Sequence, residues 1–441
     1  MAESHPFRGV RYNQSLVNDL DKVICLPYDI ITPQMQQELY HRSEHNFVRV
    51  EFTRDLPQST EADNKYTRSA ATLEQWLKQG VLKVDKVPAL YLHDGYFTIQ
   101  GKEYKRRGII CCVRLEEWDE MVVRPHEGTL AEPKGDRLSL LWALQANTSP
   151  ILAMYEDPGR QVSSLLSVAE RSQPIISIGN GNGESHKVWA ITAPEVINQI
   201  CRSLTYQPLY IADGHHRYES ALTYRREKLS YSSSSTGDEA FNFVMMTLVD
   251  FSDPGLVILS PHRLVRGLSQ SNLSGLMAKL ATFFEVELLP LSLPDVWQQV
   301  DDLLTGVRLE ETKQVRVILF GLAEKTLLVL KLRDQAAANL MMPYFHSALY
   351  KGLDVSIVDH IILEKLLGLG SGPEEAILDY SYDRLDAVQK VLDEEYQLAF
   401  LVRPIGAEVI KAIADEGDRM PRKSTYFYPK LPSGLVLYRF I

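Results

Sequence analysis

The chain has 441 residues, which is long for a single hydrophobic core, so we expect two or three lobes. Hydrophobic residues make up 45% and charged residues 24% of the sequence, as in ordinary soluble globular proteins. The net charge of −10 argues against broad binding to nucleic acids or anionic membranes. The N-terminus has no apolar signal core, and no segment approaches the ~20 apolar residues of a membrane helix. These features predict a soluble, cytoplasmic protein.

Turn residues and hydrophobic periodicity predict an α/β chain with mixed rather than purely parallel sheets. Thr32 and Pro33 are typical of the cap and first residue of a helix, and Thr60 is predicted to cap a second helix. Asp94–Gly95 is a strong hairpin signal between two strands. In the first part of the chain, helices are predicted near 33–42, 60–80, 194–204 and from 215. Strands are predicted near 89–100, 109–115, 151–155, 175–178, 187–191, 209–211, 241–249 and 257–259.

A further α/β lobe is predicted from about residue 267. Its predicted helices lie near 272–284, 294–304, 354–367 and 383–392, and its predicted strands near 315–320, 326–332 and 397–402. We therefore expect two domains. The first is a core with inserted hairpins over 1–265, and the second is a C-terminal α/β lobe over 266–441 that closes over the functional site.

The cysteines show no spacing typical of metal ligands. Cys111 and Cys112 are adjacent within an apolar run, which favours packing in a core over reactivity and fits a reducing cytoplasm. We predict no metal site built from protein ligands alone. A magnesium ion that bridges a nucleotide and one carboxylate remains compatible, because such sites use few protein ligands.

The segment 124–138, RPHEGTLAEPKGDRL, is too polar and too rich in proline and glycine for a regular element, so we predict a loop. It presents several functional side chains together: His126, Glu127, Thr129, Lys134, Asp136 and Arg137. Glu127 beside His126 is a candidate general base. The other four are candidates for binding phosphate or substrate. The alternative is an ordinary solvated surface loop.

The stretch IADGHHRYESAL, which begins at Ile211, is the most informative part of the chain. A strand is predicted to end at Asp213, and two histidines and an arginine then open an amphipathic helix. A glycine turn before a helix is typical of a phosphate site, because N–H groups and the helix dipole favour an anion. Cations are disfavoured there without an anion, although Asp213 could simply be an ordinary helix cap. The predicted catalytic and phosphate-binding residues are Asp213, Gly214, His215, His216 and Arg217.

The third candidate is the segment 420–434, MPRKSTYFYPKLPSG. Its basic and hydroxyl side chains, chiefly Lys423, Ser424 and Thr425, are of the kind that wrap phosphates. The three aromatic residues that follow could stack on a base or pack inside the lobe. The alternative is an aromatic strand edge with solvated lysines.

Six motifs in order resemble a widespread prokaryotic family, domain of unknown function 1015, over the full length. They are FRGVRYN (7–13), PYD (27–29), HEGT (126–129), PKGDRL (133–138), IADGHHRYESAL (211–222) and MPRKSTYFYPKLPSGLV (420–436). The DGHHR turn also resembles the ParB and sulfiredoxin superfamily, in which such a turn binds nucleotide phosphates. One branch of that superfamily comprises kinases that act on free L-serine and carry a catalytic glutamate.

This resemblance implies a ParB/sulfiredoxin-like N-terminal catalytic core, phosphate binding by residues 214–217 and a link to serine metabolism. Glu127 is the candidate for the kinase glutamate. Sulfiredoxin chemistry is excluded, because it needs a cysteine in the turn and residues 213–217 contain none.

Two classes of function follow. The first is phosphoryl transfer on a small metabolite, serine or phosphoserine, in the kinase or the phosphatase direction, with ATP or ADP and Mg²⁺ as candidate cofactors. Glu127 or Asp213 would accept a proton, or His215 or His216 would attack phosphate directly. The second is a nucleotide-dependent regulatory or DNA-binding protein of the ParB type, which the net charge of −10 disfavours. The sequence leaves the oligomeric state open.

Overall fold

The computed structural model describes residues 1–179, 183–231, 236–306, 309, 315–369 and 378–440. The chain forms two compact units, which are made of the following segments. Unit 1 comprises Met1–Pro125, Thr129–Val257 and Pro429–Ile441, and unit 2 comprises His126–Gly128 and Ile258–Tyr428.

This division differs from the predicted domains 1–265 and 266–441 at the boundary, since unit 2 takes over at Ile258, and in two further places. The C-terminal segment belongs to unit 1 because Tyr438–Arg439 forms an antiparallel pair with Ala146–Asn147. The turn His126–Gly128 belongs to unit 2 because the backbone N–H of Met420 donates to the His126 carbonyl at 2.8 Å. Both contacts join residues that are far apart in sequence.

The strands in chain order are β1 (Ser4–His5), β2 (Val10–Tyr12), β3 (Leu82–Val84), β4 (Leu90–Ile99), β5 (Lys102–Arg114), β6 (Val123–Arg124), β7 (Ala146–Asn147), β8 (Ile151–Tyr155), β9 (Ile176–Gly179), β10 (Ser185–Ile191), β11 (Leu209–Asp213), β12 (Phe243–Asp250), β13 (Val257–Leu259), β14 (His262–Val265), β15 (Phe284–Pro290), β16 (Arg316–Ala323), β17 (Thr326–Leu332), β18 (Leu378–Ser381), β19 (Leu398–Leu401), β20 (Tyr426–Tyr428) and β21 (Tyr438–Arg439).

The α-helices are α1 (Pro33–Arg42), α2 (Val48–Glu51), α3 (Lys65–Lys78), α4 (Ala131–Leu144), α5 (Gln161–Ala169), α6 (Pro194–Thr205), α7 (His215–Tyr231), α8 (Gln270–Phe283), α9 (Val296–Leu303), α10 (Gln335–Leu340), α11 (Ala348–Lys351), α12 (Asp354–Ile357), α13 (Arg384–Leu392) and α14 (Ala407–Asp415). A π-helix over Val358–Leu366 continues α12.

Unit 1 is built on a nine-stranded sheet in the order β6-β11-β8-β12-β5-β4-β10-β9, with β1 paired to β5. The sheet is mixed, because β11 runs parallel to β6 and β12 parallel to β8 while the other pairs are antiparallel. Alternate residues of β5 pack into different clusters, Ile110 and Cys112 into one and Ile109, Cys111 and Val113 into the other. Both faces of the sheet are therefore covered.

Unit 2 contains a six-stranded antiparallel sheet in the order β15-β17-β16-β19-β14-β18. Its core includes Leu264, Ile318 and Leu401 from three of these strands and Val388 from α13. The mixed α/β architecture predicted from the sequence is thus confirmed.

Three local predictions were wrong. The hairpin turn lies at Gln100–Gly101, where both residues have positive φ (49° and 76°), as a type I′ turn requires. Asp94 is instead buried in the middle of β4, where Arg107 donates to it at 2.6 and 2.8 Å.

The second helix begins later than predicted, because Asn64 rather than Thr60 caps it. The Asn64 side chain accepts the backbone N–H groups of Tyr66 and Thr67, and Thr67 completes a capping box. Finally, the predicted loop 124–138 becomes helical from Ala131, since buried leucines further along α4 hold its polar first turns in place.

Candidate functional site

The turn between β11 and α7 forms as predicted. A bulge between Ile211 and Asp213 shifts the register against β8 just before the strand ends. Gly214 follows with a φ of +96°, a conformation that favours glycine. A Cβ atom there would lie only 2.9 to 3.0 Å from the Arg217 guanidinium. The glycine therefore allows the arginine to lie directly against the turn.

Asp213 binds two cations. Arg217 Nη2 donates to its Oδ2 at 2.7 Å, and Lys430 Nζ forms an ion pair with its Oδ1. Burial by itself raises the pKa of the Asp213 carboxyl, but the Lys430 ammonium and the Arg217 guanidinium outweigh this and hold that pKa far below its ordinary value. Asp213 is therefore ionised, and it lies one residue outside the helix, since α7 starts at His215 and Gly214 takes the cap position.

Lys430 carries no local sequence motif of its own. Its partner is 217 residues away, so no local pattern could indicate the pair. One sequence signal was present, because Lys430 lies in a run of aromatic, proline and leucine residues, YFYPKLP, most of which the structure buries. A buried lysine needs a charged or hydrogen-bonding partner.

Arg217 makes side-chain hydrogen bonds that fix its guanidinium, and it also has two N–H groups without an acceptor among the described residues. Its Nη1 donates to Ser149 Oγ at 3.1 Å and to the Pro150 carbonyl at 2.6 Å. Its backbone N–H and its Nε–H make no hydrogen bond to any residue that the structure describes. The backbone N–H is one of the donors that the first turn of a helix leaves without an intrahelical acceptor.

The segment after Gly128 packs against the first turns of α7. The backbone N–H of Leu130 donates to His216 Nε2 at 3.0 Å. Thr129 Oγ1 and Lys134 Nζ both contact Glu219 Oε2, at 2.6 and 2.9 Å. The structure therefore brings three predicted residues of unit 1 together. Because Nε2 accepts a hydrogen bond, the neutral His216 ring carries its proton on Nδ1.

Asp136 and Arg137 form a buried network in unit 1. Arg137 donates to Asp136 at 2.5 and 2.9 Å, and its guanidinium lies 3.9 Å from the centre of the Tyr28 ring. Burial alone raises the pKa of Asp136, but Arg137 and Lys65 lower it to about 2. Arg137 and Arg217 both line a small cavity of about 30 Å³, large enough for water.

In unit 2, the His126–Glu127 pair is held by the loop before β20. The backbone N–H of Lys423 donates to Glu127 Oε1 at 2.7 Å, and Thr425 Oγ1 lies 3.0 Å from His126 Nε2. Lys423 has a φ of +56°, and its side chain is exposed, whereas Ser424 and Thr425 are buried. The structure therefore brings these five predicted residues together.

The predicted site residues thus form two sets. The set in unit 1 is Thr129, Lys134, Asp136, Arg137, Asp213, Gly214, His215, His216 and Arg217, and the set in unit 2 is His126, Glu127, Lys423, Ser424 and Thr425. The structure gives the contacts of each set within its own unit. The catalytic and binding roles assigned from the sequence stay predictions.

The described residues contain no group of three or more His, Cys, Asp or Glu side chains arranged to hold a metal ion. Asp213 does not fit a magnesium ligand, because both carboxylate oxygens already bind cations. Among the helices of the described ranges, none combines the length and the apolar character needed to cross a membrane.

Comparison with solved structures finds distant similarity over most of the chain. A free serine kinase in complex with AMP is 13% identical, with 74% of this chain and 91% of the kinase covered and a TM-score of 0.35. A conserved hypothetical protein from Pyrococcus furiosus is 14% identical, with 75% and 95% covered and a TM-score of 0.34. C-terminally truncated SbnI from Staphylococcus aureus is 11% identical, with 74% and 85% covered and a TM-score of 0.31. Sequence identities and TM-scores this low do not assign an activity to this protein.

No curated protein matches the sequence. A family-level comparison matches residues 5–356 to the family described as protein of unknown function (DUF1015). The match spans most of the chain and contains both the HEGT turn and the DGHHR turn. This protein therefore belongs to the DUF1015 family.

Proposed function

We propose that this protein is a phosphoryl-transfer enzyme that acts on a small metabolite, serine or phosphoserine, and that the turn Asp213–Arg217 binds the phosphoryl group. The observation that carries the proposal is the set of donors at the start of α7. Arg217 offers a backbone N–H and an Nε–H that make no hydrogen bond to any described residue. Phosphate oxygens accept hydrogen bonds from such donors.

The charges at the turn also favour an anion. Arg217 and Lys430 both pair with one carboxylate, that of Asp213, and thereby place two positive groups at the turn. The N-terminus of α7 adds partial positive charge at the same place. A phosphoryl group would interact favourably with these positive groups and with the helix N-terminus.

In this proposal Asp213 orients the two cations rather than accepting a proton. Its pKa is held far below the ordinary value by Lys430 and Arg217 despite its burial, so it is a weak base. Phosphoryl transfer depends mainly on positioning and charge stabilisation, which a fixed pair of cations supplies. Of the two carboxylates that the sequence suggests as proton acceptors, Glu127 therefore remains the candidate.

The contacts of His216 favour this route over a phosphohistidine intermediate on that residue. His216 Nε2 accepts the backbone N–H of Leu130, and Nδ1 carries the proton of the neutral ring. Neither nitrogen of this tautomer is then available to attack phosphorus without loss of the hydrogen bond. His216 instead holds the segment that contains Thr129 and Lys134 against the helix.

The direction of transfer is tested by incubating the protein with phosphoserine alone, with L-serine plus ATP, and with L-serine plus ADP, each with magnesium. Inorganic phosphate and phosphoserine are then measured. We expect turnover in at least one of these mixtures. No turnover in any of them, together with DNA binding that persists at physiological salt, would instead favour the regulatory alternative.

A matched pair of arginines on α7 tests the site. Arg217→Ala removes the proposed donors, and we expect kcat/KM to fall by about 100-fold or more. Arg226→Ala removes an exposed arginine of the same helix that pairs with Glu117, and turnover should stay within about twofold. Equal activity of the two variants would contradict the proposed site.

A further inference from the structure

The PYD motif (27–29) is a part of unit 1 to which the proposed function gives no role. Pro27 has a φ of −65° and a ψ of 154°, and the next three residues, Tyr28–Ile30, form a 3₁₀ turn in front of α1. The backbone N–H of Ile31 donates to the Tyr28 carbonyl at 3.3 Å. The proline and the turn therefore fix the backbone that carries the Tyr28 side chain.

Arg137 fixes the ring of Tyr28. Its guanidinium lies 3.9 Å from the ring centre, and a cation over the face of an aromatic ring is attracted to it. Arg137 is buried and donates to Asp136 at 2.5 and 2.9 Å. Because these partners hold the arginine, the ring that lies against it is held as well.

The hydroxyl group of Tyr28 has no partner in the described part of the chain. Its Oη makes no hydrogen bond to any described residue, although buried tyrosine hydroxyls usually have one. The ring is half-buried. Oη keeps accessible surface, since the described polar atoms that are fully enclosed and without a partner do not include it. A ligand can therefore reach a hydroxyl group that is fixed and unused.

Hydrogen bonds inside unit 1 connect Tyr28 to the turn Asp213–Arg217. Ser149 Oγ accepts from Arg217 Nη1 at 3.1 Å and donates to Glu51 Oε1 at 3.2 Å. The backbone carbonyl of Glu51 accepts from Arg137 Nη1 at 3.2 Å. Ser149, Glu51 and Arg137 are all buried. One buried network therefore contacts the Tyr28 ring at one end and Arg217 at the other.

The charges of the turn also act on Tyr28 directly. Burial raises the pKa of the phenol well above its ordinary value, and the Asp29 carboxylate raises it further. Arg137 and Arg217 lower this pKa, and Asp213 raises it. Because such interactions weaken with distance, the influence of Arg217 and Asp213 means that the turn lies near the phenol. The raised pKa keeps the phenol protonated at neutral pH, so that it can donate a hydrogen bond.

A phosphoryl group at the turn would have acceptors to spare. Its three oxygens are strong acceptors, whereas Arg217 offers two N–H groups that make no hydrogen bond to a described residue. We propose that Tyr28 is a further phosphate-binding residue, whose hydroxyl donates a hydrogen bond to the phosphoryl group at the turn Asp213–Arg217. This inference rests on the proposed function and adds to its site a donor from another segment of unit 1.

The test is isothermal titration of inorganic phosphate into the full chain of the wild type, Tyr28→Phe and Tyr40→Phe. Tyr28→Phe removes only the hydroxyl group. Tyr40 is the matched control, because it is also half-buried and its ring also lies against a guanidinium, that of Arg54 at 4.0 Å. Its hydroxyl, however, accepts the backbone N–H of Arg54 at 3.1 Å.

We expect Tyr28→Phe to bind phosphate about tenfold more weakly than the wild type, because a hydrogen bond to a charged group is lost. Its melting temperature should stay unchanged, since the hydroxyl binds no described residue. Tyr40→Phe should show the reverse. It should bind phosphate like the wild type and melt at a lower temperature, because it loses the hydrogen bond to Arg54.

Two results would overturn the role of Tyr28 alone. The first is wild-type phosphate affinity of Tyr28→Phe in a series in which Arg217→Gln binds more weakly. The second is equal weakening by the two tyrosine substitutions. A wild type that binds no phosphate would overturn the phosphate site together with Tyr28. Weakened binding by Tyr28→Phe in a protein without turnover would overturn only the phosphoryl-transfer activity, so the two proposals fail separately.

Discussion

The turn Asp213–Arg217 of unit 1 and the loop 420–425 of unit 2 are both basic segments, but they use their charges differently. In the turn, Arg217 is fixed by Asp213, Ser149 and the Pro150 carbonyl. In the loop, the Lys423 side chain is exposed, and it is the backbone N–H of this residue that binds Glu127. The hydroxyl residues beside it are buried.

The difference shows what burial does to a basic residue. A buried cation must be paired, and its partners then fix its position. An exposed lysine keeps its hydration and its rotamers, and it contributes little fixed geometry. The turn is therefore organised before a ligand binds, whereas the loop mainly positions the Glu127 carboxylate through its backbone.

The largest expected effect tests whether the loop positions Glu127 for catalysis. Glu127→Gln keeps an oxygen that can accept the Lys423 N–H but cannot accept a proton. If Glu127 is the general base, kcat should fall by roughly 100- to 10,000-fold while the melting temperature stays unchanged. Glu132→Gln, at an exposed glutamate in the first turn of α4, is the control and should keep full activity. Retained activity of Glu127→Gln would remove this residue from the mechanism.

The next effect concerns the stability of the turn. Asp213→Asn removes the carboxylate charge that pairs with the buried Lys430 and the partly buried Arg217, which we expect to lower the free energy of unfolding by about 3 kcal/mol at neutral pH. Asp63→Asn removes the carboxylate of an exposed pair with Arg68 and should cost at most about 1 kcal/mol. Chemical denaturation measures both free energies of unfolding. Equal losses would mean that the ion pairs of Asp213 stabilise the protein no more than an exposed ion pair does.

The pH dependence of this difference has a defined sign. The folded pKa of Asp213 lies below its unfolded value of about 3.9, so the ion pairs contribute their full stability above about pH 4. This contribution is lost as the pH falls through the folded pKa. The difference in the free energy of unfolding between wild type and Asp213→Asn should therefore become smaller below about pH 4. A difference that grew there would contradict the lowered pKa of Asp213.

A smaller effect compares Gly214 of the turn with Gly128, which directly follows Glu127 in the sequence. Gly214→Ala forces a side chain onto a φ of +96° and against the Arg217 guanidinium, which should cost about 1 to 3 kcal/mol. Gly128→Ala meets no atom within 4 Å and has no positive φ. Its free energy of unfolding should change by less than about 0.5 kcal/mol. Equal costs would show that the turn has no special need for glycine.

The smallest effect is expected at the exposed lysine of the loop. Lys423→Ala should change the free energy of unfolding by less than about 0.5 kcal/mol, because the backbone N–H that binds Glu127 is retained. Thermal and chemical melts measure it. A loss of more than 1 kcal/mol would mean that the side chain is part of the fold.

Local signals in the sequence predicted several elements correctly. Thr32 caps α1 by accepting the backbone N–H of Met35, as the Thr-Pro pair indicated. The strand, glycine turn and helix around Gly214 also follow the prediction, because the glycine and the polar helix start are both local features. The mixed character of the sheets was predictable from the alternation of helices and hairpins.

The errors arose where distant residues decide the structure. Asp94 resembles a turn residue, yet Arg107 and Lys105 on the neighbouring strand keep it buried within β4. The helix α4 starts in a segment with a proline and a glycine, and Lys134 is held there by Glu219 of another helix. Lys430 was missed for the same reason, since its partner lies far away in sequence.

The central claim, that the turn Asp213–Arg217 binds a phosphoryl group, is tested most directly by titrating inorganic phosphate into the wild type, Arg217→Gln and Arg226→Gln. We expect the wild type and Arg226→Gln to bind phosphate with equal affinity and Arg217→Gln to bind at least about tenfold more weakly. Equal phosphate affinity of all three proteins would contradict the claim.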